Sequence, residues 1–200
     1  MKNKHTYYLS SLIFMALFYS CTTTNISKYY TKHKETLENI ERSYKNQYSK
    51  QKFSLLFTDK RRENFSIEIL TDSIKYIYDF KINESRLDDT LLKYNFSIPE
   101  MKSLISNMQS VHCRWIDNLD YYVDDKTNYL VYMSIRKKTL NLPFIEPKYY
   151  VLTYFSQPQY YDSEGRLLDH RNRRRLRKIN NEVFRRINDK VCFTVSTIFR

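Results

Sequence analysis

Phe53-Ser54-Leu55-Leu56-Phe57, then Phe65-Ser66-Ile67-Glu68-Ile69, then Ile74-Lys75-Tyr76-Ile77-Tyr78-Asp79-Phe80-Lys81-Ile82, decide the fold. Phe53, Leu55 and Phe57 take every second place in the first run. Phe65, Ile67 and Ile69 alternate with Ser66 and Glu68 in the second. Ile74, Tyr76, Tyr78, Phe80 and Ile82 alternate with Lys75, Asp79 and Lys81 in the third. A period of two with one apolar and one polar face is the pattern of a half-buried strand, and such strands pair antiparallel. The Thr71-Asp72 connection is short enough for a tight hairpin. The reading is a three-stranded meander over 52–82.

Upstream, the period changes to that of a helix. Tyr30, His33, Leu37, Ile40, Tyr44 and Tyr48 recur at steps of three and four, one face of a helix. Glu38 with Arg42 and Glu41 with Lys45 add i,i+4 ion pairs in the favoured order. His33 has no second metal-binding side chain near it and reads as a histidine at the edge of the core.

Downstream, Ser85 with Asp88 and Ser97-Ile98-Pro99-Glu100 resemble capping boxes that open two short helices. Strands are expected over 111–117, over 119–123 with 128–136 as a hairpin, and over 148–156. Between the last two lies the loop 137–147, in which Leu142, Phe144 and Ile145 offer an apolar contact surface. Gly165 supplies the positive φ of a turn. Leu176, Ile179, Val183 and Ile187 predict a helix over 171–189, and Val191–Phe199 a returning strand. The expected architecture is α+β: an N-terminal helix, a mostly antiparallel sheet of about seven strands, and helices packed on one side.

The chain has 200 residues, 42% of them hydrophobic and 16% aromatic, enough for one domain with its own core and too apolar for a disordered chain. It has one glycine. Phosphate-cradling loops need several, so no P-loop, dinucleotide fingerprint or nucleophile elbow is present. No cofactor motif is found.

Lys2 to Cys21 has a basic start, an apolar run from Tyr7 to Tyr19 broken only at Ser10 and Ser11, and Ser20 before the cysteine. This is the make-up of a secretory signal peptide, shorter than the ~20 apolar residues that span a bilayer. The cysteine directly after the apolar core resembles the lipobox of bacterial lipoproteins. That resemblance implies cleavage before Cys21, a thioether-linked diacylglycerol and an N-acyl chain on it, and a membrane address. Two or three acyl chains anchor a protein stably where one is marginal. The expected division is a signal peptide at 1–20, a lipidated tether at 21–28 and a single domain at 29–200. Thr22 rather than Asp after the lipidated residue is similar to the sorting signal for the outer membrane, facing the periplasm.

Formal net charge is +12, and it is uneven. Arg173, Arg174, Arg175, Arg177, Lys178, Arg185 and Arg186 fall in the last stretch, where a basic C-terminal helix would meet anionic headgroups, an acidic protein or an anionic envelope polymer. Export argues against nucleic acid. Cys113 and Cys192 are a possible disulfide in an oxidising periplasm, the alternative being two small buried hydrophobes. Val111, Cys113 and Trp115 share a face in the expected strand. Adjacent His112 and Cys113 face opposite ways and cannot act on each other. Asp117, Asp120, Asp124 and Asp125 lack calcium-loop spacing, so no metal site is expected. Glu68, Asp79, Asp117 and His112 would matter to an enzyme only if a cleft gathered them. The expectation is a lipid-anchored, non-catalytic binding or scaffold protein of the cell envelope. The alternatives are a periplasmic hydrolase and a small-ligand binder with a tyrosine-lined cleft on the sheet. Nothing in the sequence indicates an oligomeric state.

Overall fold

The computed structural model describes the backbone of residues 4–123, 126–136 and 147–198, and the side chains of 26–120, 128–136 and 147–198. The chain forms two compact units, residues 1–35 and 36–200. The first is helical from Lys4, and residues 22–28, expected as a tether, are helical with it. The backbone leaves helical geometry at His33 (φ −112°, ψ 15°), within a helix α1 assigned to Lys4–Tyr48. Tyr29 and His33 stand with ring centroids 4.6 Å apart. Burial and then Lys32 hold the His33 imidazole below its ordinary pKa.

The second unit is built on an eight-stranded sheet whose pairs are all antiparallel. Its strands are β1 (Lys52–Phe57), β2 (Asn64–Leu70), β3 (Lys75–Lys81), β4 (Cys113–Val123), β5 (Lys126–Arg136), β6 (Tyr149–Phe155), β9 (Arg185–Arg186) and β10 (Val191–Ser196). They lie in the order β3-β2-β1-β4-β5-β6-β10-β9. The meander is as the alternation requires, with Leu55 opposite Ile67 and Ile67 opposite Tyr78. Thr71 closes its second turn. The Thr71 N–H donates to the Ile74 carbonyl at 2.9 Å, and the Ile74 N–H donates to Thr71 Oγ1 at 3.2 Å.

Alternation along each strand gives the sheet two different faces. One carries Phe53, Leu55, Phe65, Ile67, Ile116, Met133 and Leu152, all buried. The C-terminal part of α1 packs here, with α2 (Ser85–Lys93) and α3 (Ile98–Ser110). Phe53 lies 4.9 Å from the Tyr44 ring and 5.0 Å from Phe96. The Tyr44 hydroxyl donates to the Phe53 carbonyl at 2.6 Å. Leu87 and Leu91 of α2, and Met101, Leu104, Ile105 and Met108 of α3, are its buried stripes. Each such side chain contributes about 1.5–3 kcal/mol of burial. The helices do sit on one side of the sheet.

The other face is covered only in part. Over β4, β5, β6 and β10 it meets the excursion 156–190 in a cluster of Trp115, Leu130, Tyr132, Val151, Phe155, Leu167, Ile179, Phe184 and Cys192. Over β1–β3 it presents Ser54, Ser66, Glu68 and Asp79.

That excursion contradicts the helix expected over 171–189. In its place is a hairpin of β7 (Lys178–Ile179) with β8 (Glu182–Val183), followed by β9 on the edge of β10. Asn180 (φ 50°) and Asn181 (φ 63°) form the two-residue turn. Positive φ at both central positions is the mirror-image turn whose twist suits a hairpin, and asparagine reaches it at low cost. Asp169 and Asn172 also draw the chain out of helix. Asp169 Oδ1 accepts the N–H groups of Arg171 and Asn172, and Asn172 Oδ1 that of Arg174. Gly165 (φ 72°) makes the turn expected of it, donating its N–H to the Asp162 carbonyl at 3.0 Å. The loop 140–147 lies outside the described residues except for Pro147.

Candidate functional site

The basic residues group by what they touch. Arg171, Arg173, Arg174 and Arg175 stand exposed in the turn after Asp169, and Lys178 is exposed on β7. Of the seven expected contact residues, Arg173, Arg174, Arg175, Lys178 and Arg185 have no carboxylate within ion-pair distance among the described residues. The Arg173 guanidinium lies 3.8 Å from the centre of the Tyr160 ring, a cation–π contact on the exposed turn. Arg177 is half-buried, donating to Gln159 Oε1 at 3.2 Å and standing over Phe155. Arg186 is bound to Asp189 at 2.6 Å. The Asn172 N–H and then burial's opposing effect set the Asp169 carboxyl, whose pKa ends below the usual range. The basic surface is therefore a turn and a hairpin, with Arg177 and Arg186 engaged by neighbours.

Under the β7–β8 hairpin is a half-open cleft of about 160 Å³. Trp115 from β4, Tyr132 from β5 and Val151 from β6 form the sheet side. Ile179 and Phe184 come down from the hairpin, and Asn180, Glu182, Thr194, Ser196 and Ile198 complete the wall. The Trp115 and Tyr132 rings are stacked, with centroids 6.3 Å apart and planes 16° from parallel. Thr194 Oγ1 donates to Glu182 Oε2 at 3.4 Å, and Ser196 Oγ accepts the Ile198 N–H at 3.0 Å. The Trp115 indole N–H and the Tyr132 hydroxyl are buried without a hydrogen-bond partner among the described residues. Burial raises the Tyr132 pKa above its ordinary value, with smaller and opposed effects from Cys192 and Arg177. A tyrosine-lined cavity on the sheet is an expected alternative, but its particular residues are not evident from the chain. The signal available is the alternation of Leu130, Tyr132 and Ser134 with Val131 and Met133.

Of Glu68, Asp79, Asp117 and His112, the structure brings two into one hollow. Glu68 and Asp117 share a shallow depression of about 230 Å³ with Lys52, Lys75 and Tyr48. Glu68 is ion-paired with Lys75 and accepts the Ser54 hydroxyl at 3.4 Å. Asp117 Oδ1 accepts the Asn118 N–H at 2.7 Å. Asp79 accepts the Ser66 hydroxyl and is exposed, and His112 lies in the turn before β4 at φ 53°. Neither Asp79 nor His112 lines that depression. Among the described residues, no three His, Cys, Asp or Glu side chains are placed to hold a metal ion. His170 stacks beside Tyr160 at 5.5 Å between ring centroids.

Cys113 and Cys192 are free, buried thiols. A bulge at Arg114 makes Cys113 partner Ile135 while Trp115 partners Ser134. The bulge turns Cys113 to the helix-covered face, opposite Trp115, where an unbroken strand would have put both on one side. Cys192 is in the cluster on the other face, with β5 and β6 between the two strands. Strands spaced about 4.8 Å apart place these residues roughly 14 Å from each other, beyond the ~7 Å limit for a disulfide. The expected pairing is corrected on this geometry.

The Cys21 backbone is helical and its side chain lies outside those described. No helix among the described residues is long and apolar enough to cross a membrane. No protein-family model, no curated protein and no solved structure matches the chain.

Proposed function

We propose that this chain is an exported, non-catalytic binding protein of the cell envelope, anchored by lipid on Cys21, that lays its basic C-terminal surface on anionic headgroups. The observation that carries the contact is the turn 171–175, where four arginines stand exposed around the single carboxylate of Asp169. A basic side chain near an anionic surface contributes about 1 kcal/mol, fading within roughly 10 Å at physiological salt. The lipobox-like Cys21 supports the address, the outer membrane facing the periplasm.

The test is binding of the Cys21→Ser chain to vesicles of phosphatidylethanolamine and phosphatidylglycerol (3:1), against vesicles of phosphatidylcholine. Binding should favour the anionic vesicles and weaken with salt. It should fall at least tenfold when Arg171, Arg173, Arg174 and Arg175 become serine. Equal binding to both vesicles, or by the variant, defeats the surface-contact reading. A second reading, small-ligand binding, is supported by the apolar cleft that Trp115, Tyr132 and Phe184 line beneath the hairpin.

A further inference from the structure

We infer that the cleft beneath the β7–β8 hairpin takes an uncharged molecule built on one six-membered apolar ring and carrying a hydroxyl group. This deepens the small-ligand reading and rests on it. Size comes first. The cleft offers about 160 Å³, close to the roughly 150 Å³ of an apolar protein cavity known to accept benzene. One six-membered ring fills that volume.

The walls set the body of the ligand. Trp115, Tyr132, Val151, Ile179 and Phe184 are each at least nine-tenths buried, and together they give the cleft an apolar floor and roof. Such a surface draws in a ring by the area it removes from water. The rim sets its polar end. Glu182 is a carboxylate, so it only accepts hydrogen bonds, and Thr194 supplies it with one long one. A ligand hydroxyl meets its remaining lone pairs. Ser196 already accepts the Ile198 N–H, which leaves its own proton available to the oxygen of the same hydroxyl.

Charge then excludes the obvious competitor. No Lys, Arg or His lines the cleft among the described residues. A carboxylate-bearing ring would enter beside Glu182 with nothing to offset its desolvation, a cost that buried charges meet only by pairing.

Trp115 is the only tryptophan of the chain and lines the cleft, so its emission reports occupancy directly. The probes are cyclohexanol and cyclohexanecarboxylate, titrated into the full chain at neutral pH. Cyclohexanol should change the emission saturably, with a midpoint at or below roughly 1 mM, and cyclohexanecarboxylate should bind at least tenfold more weakly. Glu182→Leu, at the half-buried rim of the cleft, should weaken cyclohexanol at least fivefold. Val151→Phe, which fills the cleft, should abolish the response while the circular dichroism stays that of the parent. If neither probe alters Trp115 emission, the cleft is no ligand site and both readings fall together. If both bind alike, or Glu182→Leu binds cyclohexanol as well as the parent does, the cleft binds ligands but the ligand class inferred here is wrong.

Discussion

The side-chain carbonyl of Gln47, in the last turn of α1, accepts the backbone N–H of Ser97 at 3.0 Å, fifty residues along the chain. The same amide donates to the Glu100 carboxylate. Gln47 is fully buried. The first turn of α3 is thereby satisfied from another helix, and Ser97, although it is the N-cap, makes no side-chain capping bond. Orphan N–H groups at a helix start need partners from somewhere.

Gln47→Ala should therefore cost more than the loss of a surface amide. It strips partners from a helix terminus and leaves a cavity where a fully buried side chain had been. Urea denaturation should show a loss of about 2–3 kcal/mol. A loss under about 0.5 kcal/mol means that the Gln47 link contributes nothing.

The Asn180-Asn181 turn makes an opposite pair of expectations. Asn181→Gly relieves a positive φ and should be neutral or slightly stabilising. Asn180→Val should destabilise by about 1–2 kcal/mol, since a β-branched residue resists that backbone region. It should also loosen Ile179 and Phe184 over the cleft, seen as a red shift in Trp115 emission. If Asn180→Val leaves both stability and emission unchanged, the hairpin is not what shapes this site.

Tyr132→Phe should cost nothing, or stabilise by up to about 1 kcal/mol, because the hydroxyl it removes is buried without a partner among the described residues. A thermal melt decides it. A large loss would mean that this hydroxyl is hydrogen-bonded after all.

The buried thiols give a dependence on pH. Burial raises the Cys113 pKa from its ordinary 9.0 to about 12, against weaker lowering by the Trp115 and Ser134 backbone. Burial raises that of Cys192 as well, with Arg177 opposing. The folded state thus keeps these protons to higher pH than the unfolded chain does. Their contribution is complete below pH 9 and is lost as pH rises from there, at about 1.4 kcal/mol per pH unit for each thiol. Stability measured in urea should be flat from pH 7 to 8 on their account and fall between 9 and 11. Cys113→Val should halve the thiol part of that slope. Neither thiol should react with a disulfide reagent until the protein unfolds, and no internal disulfide should appear on oxidation.

The meander, the stripe of α3 and the returning strand β10 were legible because each obeys one period over its whole length. In β1 and β2 the polar phase is real as well: Ser54, Ser66 and Glu68 lie together on one face of the sheet. The segment after Asp169 was not legible by the same rule. Leu176, Ile179, Val183 and Ile187 match helical steps, but only Ile179 is buried, with Phe184 as its companion. Local chemistry overrode the spacing, in the form of paired asparagines at positive φ and carboxylate and amide side chains capturing backbone N–H groups. Cys113 was misplaced for a related reason. One bulged residue, Arg114, inverts every face assignment before it. The cleft could not be read because it joins β4, β5, β6 and a hairpin that the helical reading had erased.

Mass spectrometry of the mature protein extracted from membranes bears most directly on Cys21. The expected result is a chain beginning at Cys21, with a diacylglycerol thioether on its sulfur and an acyl chain on its amine. A chain that still begins at Met1, or a free thiol at position 21, contradicts it.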